Sequence, residues 1–515
     1  MRTLKSHVSG KWHEASTDLV PLFDPCSEEQ IAQASSTGVD FAAALEYARS
    51  QGGPALRELS FIQRGELLMG MSKALHAHRE ELIQLSLKNT GATRKDAKFD
   101  LDGATGTLSY YAYLAKEIGD LKLLRDGDGE ALGRSAKFWG QHVRVPLHGA
   151  ALHVNAFNFP AWGFSEKAAC AFLAGMPVIT KPATSTALVT ERCVEIIVEA
   201  GLLPPGVLSL ICGRTGDLIS RLGSQDVLAF TGSAATALKL RRRENLLASS
   251  VRVNIEADSL NAAVLGPDVE SGSETWGLFI RDVVREITQK AGQKCTAVRR
   301  ILVPEPHAEA VQEALVDSLE RVVTGNPADS TVTMGPLATA HQLEDAIQGV
   351  AELRQDAQLI YGTGERVSGA GNPPGKGYFF APTLLCAGDS SRSDSVHSRE
   401  VFGPVATILP YDASASEAAR LVALGGGCLV TSLYSDQRDW VGEWIAAGAS
   451  WSGRLYLGSL KMAEQALGSG IALPNSFHGG PGRAGGGGEL GGLRGLHLYT
   501  QAIALQGSRS MIERL

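Results

Sequence analysis

The sequence predicts an α/β protein built on parallel sheets, and three observations carry that reading. Strands alternate with helices over residues 150–255, and a second alternating run begins after Ser259. The repeating units are of the size that βαβ crossovers need, which implies parallel pairing. At 515 residues the chain is also too long for one simple core, so several domains are expected. Ligands of such sheets bind outside the carboxyl ends of strands, which makes the residues just after strands the informative ones.

In chain order, residues 38–118 are mostly helical: "FAAALEYARS", "ELSFIQRGELLMGMSKALHAHREELIQLSLKNTG" and "TGTLSYYAYLAKEIG" space apolar residues three or four apart, and Gly91 closes the second. A polar stretch, "LRDGDGEALGRSA", precedes "FWGQHVRVPLHGAALHVNAF", which turns extended. A strand at 150–156 then leads through "FNFP" into an apolar helix at 161–174. "MPVIT", a helix from 186 to 200, "GVLSLIC", a short helix near 216–222, "DVLAF", a helix after Thr231 and "SVRVNIE" complete the first run. The second run has strands "NAAVLG", "RRILVP", "QLIYG", "GPVATILPY", "CLVTSLYS" and "GRLYLG", with helices such as 307–324 and 414–424. The tail from 474 is too rich in glycine for a regular element. It reads as a loop with close backbone approach, then a short strand from Leu496.

Composition excludes several classes. With 44% hydrophobic residues, 20% charged residues and a net charge of -7, nothing resembles the basic footprint of a nucleic-acid binder. The one basic run, Arg241-Arg242-Arg243, reads as a solvated helix face, with contact to an anionic ligand as the alternative. Seven scattered cysteines without a Cys-x-x-Cys pair argue against a disulfide framework and a structural zinc site, and for a reducing compartment. No metal is expected. The N-terminus lacks the apolar core of a signal peptide, and no apolar run approaches the ~18 residues of a membrane span, so a cytoplasmic protein is expected.

Four features carry candidate chemistry. Cys295, in "ITQKAGQKCTAVRR", falls in a loop between a helix ended by Gly292 and the next strand. A reactive thiolate needs nearby positive charge and access. Lys294 and Arg299 are close in sequence, yet neighbouring side chains need not point the same way, and most lone cysteines are inert. Glu256 ends the strand "VRVNIE", where a solvated or capping carboxylate is the ordinary alternative. Asn158, between a strand and a helix, has an amide suited to an oxyanion, or is simply a turn asparagine. "FTGS" (230–233) offers free amides for a phosphate, a common strand–turn–helix feature. Neither a Gly-x-Gly-x-x-Gly after an early strand nor a phosphate-binding Gly-Lys-Ser/Thr loop is present.

Together the motifs say more. Asn158-Phe159-Pro160, Lys181-Pro182-Ala183, Phe230 to Ser233, Glu256, Gly292 to Cys295 and Glu400 to Val405 resemble, in order and spacing, the aldehyde dehydrogenase superfamily, over nearly the whole chain. The resemblance implies an aldehyde dehydrogenase-like fold: a Rossmann-type parallel-sheet cofactor domain (1–124 and 149–257), an α/β catalytic domain (258–473) and a small β oligomerisation arm (125–148 and 496–515) that makes a homodimer. It implies that Cys295 attacks an aldehyde, that Asn158 and the Cys295 amide hold the oxyanion, and that Glu256 activates the hydrolytic water. Lys181 is implied to bond the adenosine ribose, Gly232 and Ser233 the pyrophosphate and Glu400 the nicotinamide ribose, with Phe402 packing nearby. Glu489, in a Gly-Glu-Leu-Gly segment, is implied as a second acid, with a proton relay as its candidate role.

This chain departs from the family pattern in places. Phe157 replaces the usual tryptophan before the catalytic asparagine, and "ADSLN" replaces a longer Leu-Gly-Gly stretch after Glu256. Three residues after Lys181, where NAD-preferring members often carry a glutamate, stands Thr184, so NADP is expected as the preferred cofactor, with NAD weaker. "EADSLN", "GQKCTAVRR" and "HGGPGRAGGGGELGGLRG" resemble the members that oxidise CoA-thioester semialdehydes after aromatic ring cleavage, 3,4-dehydroadipyl-CoA semialdehyde among them. Alternatives are a CoA-acylating enzyme, against which Glu256 argues, a dehydrogenase of free aldehydes, a catalytically silent homologue, and a cysteine hydrolase. For the last, no histidine stands in a recognisable partner context.

Overall fold

The computed structural model describes residues 1–514. Two seven-stranded sheets organise the molecule. In the first, the strands run in the order Arg252–Glu256, Val227–Thr231, Ala151–Val154, Val178–Lys181, Leu208–Leu210, Ser6–Val8 and Lys11–His13. The first five are mutually parallel, and the two N-terminal strands add antiparallel at the edge. Strand order reverses between Ala151–Val154 and Val227–Thr231, the switch point at which such sheets open a crevice. Register pairs Thr231 with Glu256 and Lys181 with Val154, so these carboxyl ends lie along one sheet edge.

The second sheet runs Ala357–Tyr361, Thr383–Ala387, Val405–Tyr411, Arg300–Pro304, Ala262–Leu265, Cys428–Tyr434 and Ser452–Gly458. All its pairings are parallel except the first. Only residues 257–261 separate Glu256 from the first residue of Ala262–Leu265. The carboxyl edge of the first sheet is thereby joined directly to the amino edge of the second. The Cys295 loop, before Arg300–Pro304, and the Glu400 loop, before Val405–Tyr411, enter from that amino edge.

The helices form where caps and apolar stripes agree. Ser60 and Gln63 make a reciprocal capping box at Phe61–Ala77, Thr93 caps Arg94–Ile118, and Ser273 caps Glu274–Thr288. Gly91 ends Arg79–Thr90 in the left-handed conformation, as the sequence predicts. Helix Trp162–Ala174 is buried almost all round, between the first sheet and helix Arg94–Ile118. Its sequence nevertheless includes Glu166 and Lys167, and Lys167 is buried.

The tail differs from expectation. The strand begins at Thr500, not Leu496, because residues Gly492–Tyr499 wind into a 3₁₀ stretch. Thr500–Ser508 pairs antiparallel with Phe138–Pro146 in a separate small sheet. Within the glycine-rich run, Phe477–Gly479 and Gly488–Leu490 form a short antiparallel pair with His478 opposite Glu489. The lack of side chains lets this pair lie against other backbone, since a Cβ on Gly485 or Gly487 would meet the Ile255 carbonyl. Among the described residues, no helix is long and apolar enough to cross a membrane.

Gly292 (φ +67°) abuts the Gly403 carbonyl, so a Cβ there combines left-handed strain with direct overlap. Gly292→Ala is expected to destabilise the protein by more than the ~1–2 kcal/mol of the backbone term alone. Helix residue Gly277, with nothing near its Cβ position, should tolerate alanine without loss. Thermal unfolding of the two variants checks this; equal midpoints contradict it.

Candidate active site

Cys295 leaves the 3₁₀ turn Gln289–Gly292 through three consecutive residues in the left-handed region, Lys290, Ala291 and Gly292. The first two are not glycine, so the turn stores strain that its surroundings must hold. Lys290 lies 4.5 Å over the Phe159 ring, and Gln293 is fixed through Nε2–H to the Lys290 carbonyl and through Oε1 from Ala338 N–H. Asn261 then donates to the carbonyls of Cys295 (2.8 Å) and Ala297 (2.9 Å), and Thr296 donates to Gly470.

The cations flanking Cys295 in sequence all point elsewhere. Lys294 Nζ pairs with Glu286 at 2.6 Å and donates to Gln289. Arg299 donates to the Gly403 and Lys294 carbonyls, stacks over Phe402 and lies 3.6 Å from Glu400. His478 faces the sulfur instead, with Nε2 4.0 Å from Sγ and 3.3 Å from Glu256 Oε2. Sγ, Nε2 and a Glu256 oxygen all lie within 4.8 Å of one another. The expectation that no histidine partners the cysteine is therefore corrected. The partner arrives from 183 residues away, on the glycine-rich hairpin, where no local spacing signals it.

Asn158, Glu256 and Cys295 converge on one cavity, walled by Phe99, Phe159 and Trp162. Asn158 Nδ2 donates to the Gln293 carbonyl at 3.0 Å, which holds its amide beside the nucleophile loop. Glu489 sits behind: Asn254 donates to its Oε1 at 2.9 Å, and Lys167 Nζ lies 3.2 Å from its Oε2 and 3.5 Å from Glu166. Sequence reasoning misses Glu166 and Lys167, although two charges side by side in an otherwise apolar helix are a signal that points to them.

Burial opposes every ion here, and partners decide the outcome. Burial, then the Glu256 charge, pushes the Cys295 thiol well above its ordinary range. Burial also disfavours the Glu256 carboxylate, but the His478 and Lys167 charges hold its pKa at about 2. Burial works against the His478 imidazolium, yet Glu256 raises it above the usual histidine value. Glu166, buried and only partly compensated by Lys167, is raised to about 7.

The cofactor residues expected from the sequence lie at and just beyond strand ends of the first sheet and on the Glu400 loop. Lys181 ends its strand and is lowered by burial, and Thr184 opens the turn Thr184–Thr186 just beyond. Gly232 N–H donates to the Glu256 carbonyl, and Ser233 caps helix Ala234–Arg241. Glu400 accepts from Ser259 N–H through Oε2, and burial raises it to about 7. Phe402 packs edge-on against Phe157 at 5.7 Å. Buried Thr231 Oγ1 and Glu400 Oε1 have no hydrogen-bond partner in the protein. Those orphaned atoms, with helix amides and a lysine at one sheet edge, fit a ligand of ribose hydroxyls and phosphates such as a nicotinamide dinucleotide.

The chain is similar to known proteins over most of its length. Residues 12–502 match the model of the aldehyde dehydrogenase family. The chain is 42% identical over 478 residues, 93% of each sequence, to the 3,4-dehydroadipyl-CoA semialdehyde dehydrogenase of Aromatoleum evansii. It is 26% identical over 409 residues, 78% of each, to the D-glyceraldehyde dehydrogenase (NADP(+)) of Thermoplasma acidophilum. The NAD-dependent aldehyde dehydrogenase of Sinorhizobium meliloti shares the fold, with a TM-score of 0.84 at 23% identity over 99% of this chain and 95% of that one. The chain belongs to the aldehyde dehydrogenase family.

Proposed function

We propose that this enzyme oxidises a CoA-linked semialdehyde to the carboxylic acid, with NADP preferred over NAD, in the degradation of aromatic compounds. The observation that carries the chemistry is the meeting of Cys295, Asn158 and an ionised Glu256 at one cavity. The substrate class is supported by the 42% identity to the Aromatoleum evansii enzyme, and 3,4-dehydroadipyl-CoA semialdehyde is the specific candidate.

Cys295 attacks the aldehyde carbon and forms a thiohemiacetal. Its oxyanion is received by the Asn158 side-chain amide and the Cys295 backbone N–H. A nicotinamide bound beside Glu400 would supply the hydride acceptor that turns this adduct into a thioester on Cys295. Glu256 takes a proton from water, which hydrolyses that thioester. Its Oε1 has no hydrogen-bond partner in the protein and is free for the task. Glu489, Lys167 and Glu166 form a contiguous charged path behind Glu256, suited to carry its proton away. Lys181 and Thr184 would hold the adenosine ribose, Gly232 and Ser233 the pyrophosphate, and Glu400 the nicotinamide ribose beside Phe402.

Cofactor preference follows from charge at one position. Among the described residues no carboxylate pairs with Lys181, and the neutral Thr184 leaves nothing there to repel a 2′-phosphate. Assembly follows from unpaired edges: Thr500–Ser508 and Ser452–Gly458 are both outer strands, and pairing them between two copies makes a homodimer.

Steady-state comparison of CoA-linked semialdehydes with free short aldehydes, each with NAD+ and NADP+, tests the whole reading; higher kcat/KM for free aldehydes contradicts it. Thr184→Glu should lower kcat/KM for NADP+ by at least about tenfold, since like charges in contact cost several kcal/mol, and leave NAD+ little changed. Equal loss with both cofactors contradicts the charge argument. Glu256→Gln should slow turnover by about 10²–10⁴-fold, and hydrolysis of an acyl-enzyme preformed on Cys295 from an activated ester should slow by a similar factor. Unchanged deacylation of that preformed acyl-enzyme contradicts the water-activating role.

A further inference from the structure

We propose that His478 is a further catalytic residue: its Nε2–H pairs with the Glu256 carboxylate before reaction and with the Cys295 thiolate once the thiol proton has moved to that carboxylate. The inference rests on Cys295 being the nucleophile. Its ground is geometric, because Nε2 is within reach of both anionic partners, 3.3 Å from Oε2 and 4.0 Å from Sγ. His478 is 5% exposed and is held by the backbone pairing of Phe477–Gly479 with Gly488–Leu490.

The other nearby bases are committed. Lys167 sits between Glu489 and Glu166, and Arg454 donates to the carbonyls of Ile471 and Ser469. Lys294 and Arg299 point to Glu286 and Glu400. Among the described residues, His478 is the basic side chain with hydrogen-bond reach of Sγ.

Activation exchanges one buried anion for another. The S–H bond breaks, the proton goes to Glu256, and the sulfur electron pair bonds the aldehyde carbon. The carbonyl π pair moves to oxygen, where Asn158 and the Cys295 N–H receive it. The summed charge of thiol, carboxylate and imidazolium is the same before and after proton transfer. What changes is which anion the imidazolium touches, so neither is left bare in the buried site. The groups that face His478 are Glu256, Cys295, Glu166 from helix Trp162–Ala174, Arg454 from strand Ser452–Gly458 and Glu489 opposite it in the hairpin. Burial and Arg454 disfavour its charge, while Glu256 and Glu166 favour it and prevail.

The test is the pH dependence of iodoacetamide alkylation at Cys295 in the cofactor-free enzyme, read by mass spectrometry on its own peptide because Cys386 is also partly exposed. His478→Gln keeps a donor near Nε2 without the charge. The alkylation inflection should move up by about one pH unit or more, slowing reaction at neutral pH about tenfold, and the pre-steady-state burst should slow with it. His478→Asn, judged on the same readouts, serves if the glutamine variant does not fold. An inflection that stays in place in a folded variant overturns the inference, as does a uniform loss of rate at all pH values. Cys295→Ala separates the two readings: retained oxidation of aldehyde defeats the nucleophile itself, whereas an unmoved His478 profile defeats only the histidine's part.

Discussion

Asn261 ties the nucleophile loop to both of its neighbours. Its amide donates to the Cys295 and Ala297 carbonyls, and its Oδ1 accepts from Ser259 Oγ and from Val430 N–H. Its own carbonyl accepts from the Arg299 and Arg300 amides. This side chain is fully buried, and its hydrogen-bonding capacity is used across three chain segments. A buried amide left half-satisfied costs ~1–3 kcal/mol, so the loop is locked to the amino edge of the second sheet. Because residues 257–261 also follow Glu256 directly, the same asparagine fixes how nucleophile and carboxylate approach each other. The short "ADSLN" segment, read from sequence as a departure from the family pattern, is the hinge of that arrangement.

The site concentrates charge in a buried place. Lys167 pairs with Glu166 and Glu489, His478 pairs with Glu256, and Glu166, Lys167, Glu256 and His478 line the same cavity. Burial strips most of their solvent, so charged neighbours stabilise them. Burial raises the Glu166 pKa to about 7.

Much of this is legible in the sequence, for identifiable reasons. The alternating runs announce both parallel sheets because each strand is short, apolar and followed by a helix. Asn158 and Glu256 are legible because they follow or end strands, and the structure brings both to the Cys295 cavity. The Cys295 loop is legible through its company, while its flanking cations mislead: Lys294 and Arg299 are neighbours in sequence and turn away in space. His478 is hidden because its approach depends on a hairpin of glycines that no periodicity reveals. The last strand begins four residues later than the expected Leu496 because residues Gly492–Tyr499 first wind into a 3₁₀ stretch. The strands of the N-terminal region, three to five residues each, are too short to rise above the helical pattern that follows.

The central claim is that the carboxylate held beside Cys295 directs water, and not another acyl acceptor, to the thioester. The most direct measurement is product identity after incubation with aldehyde, NADP+ and free CoA in ¹⁸O-labelled water. The account predicts a free carboxylic acid carrying one oxygen from solvent. A newly formed CoA thioester at the oxidised carbon, without solvent oxygen, contradicts it.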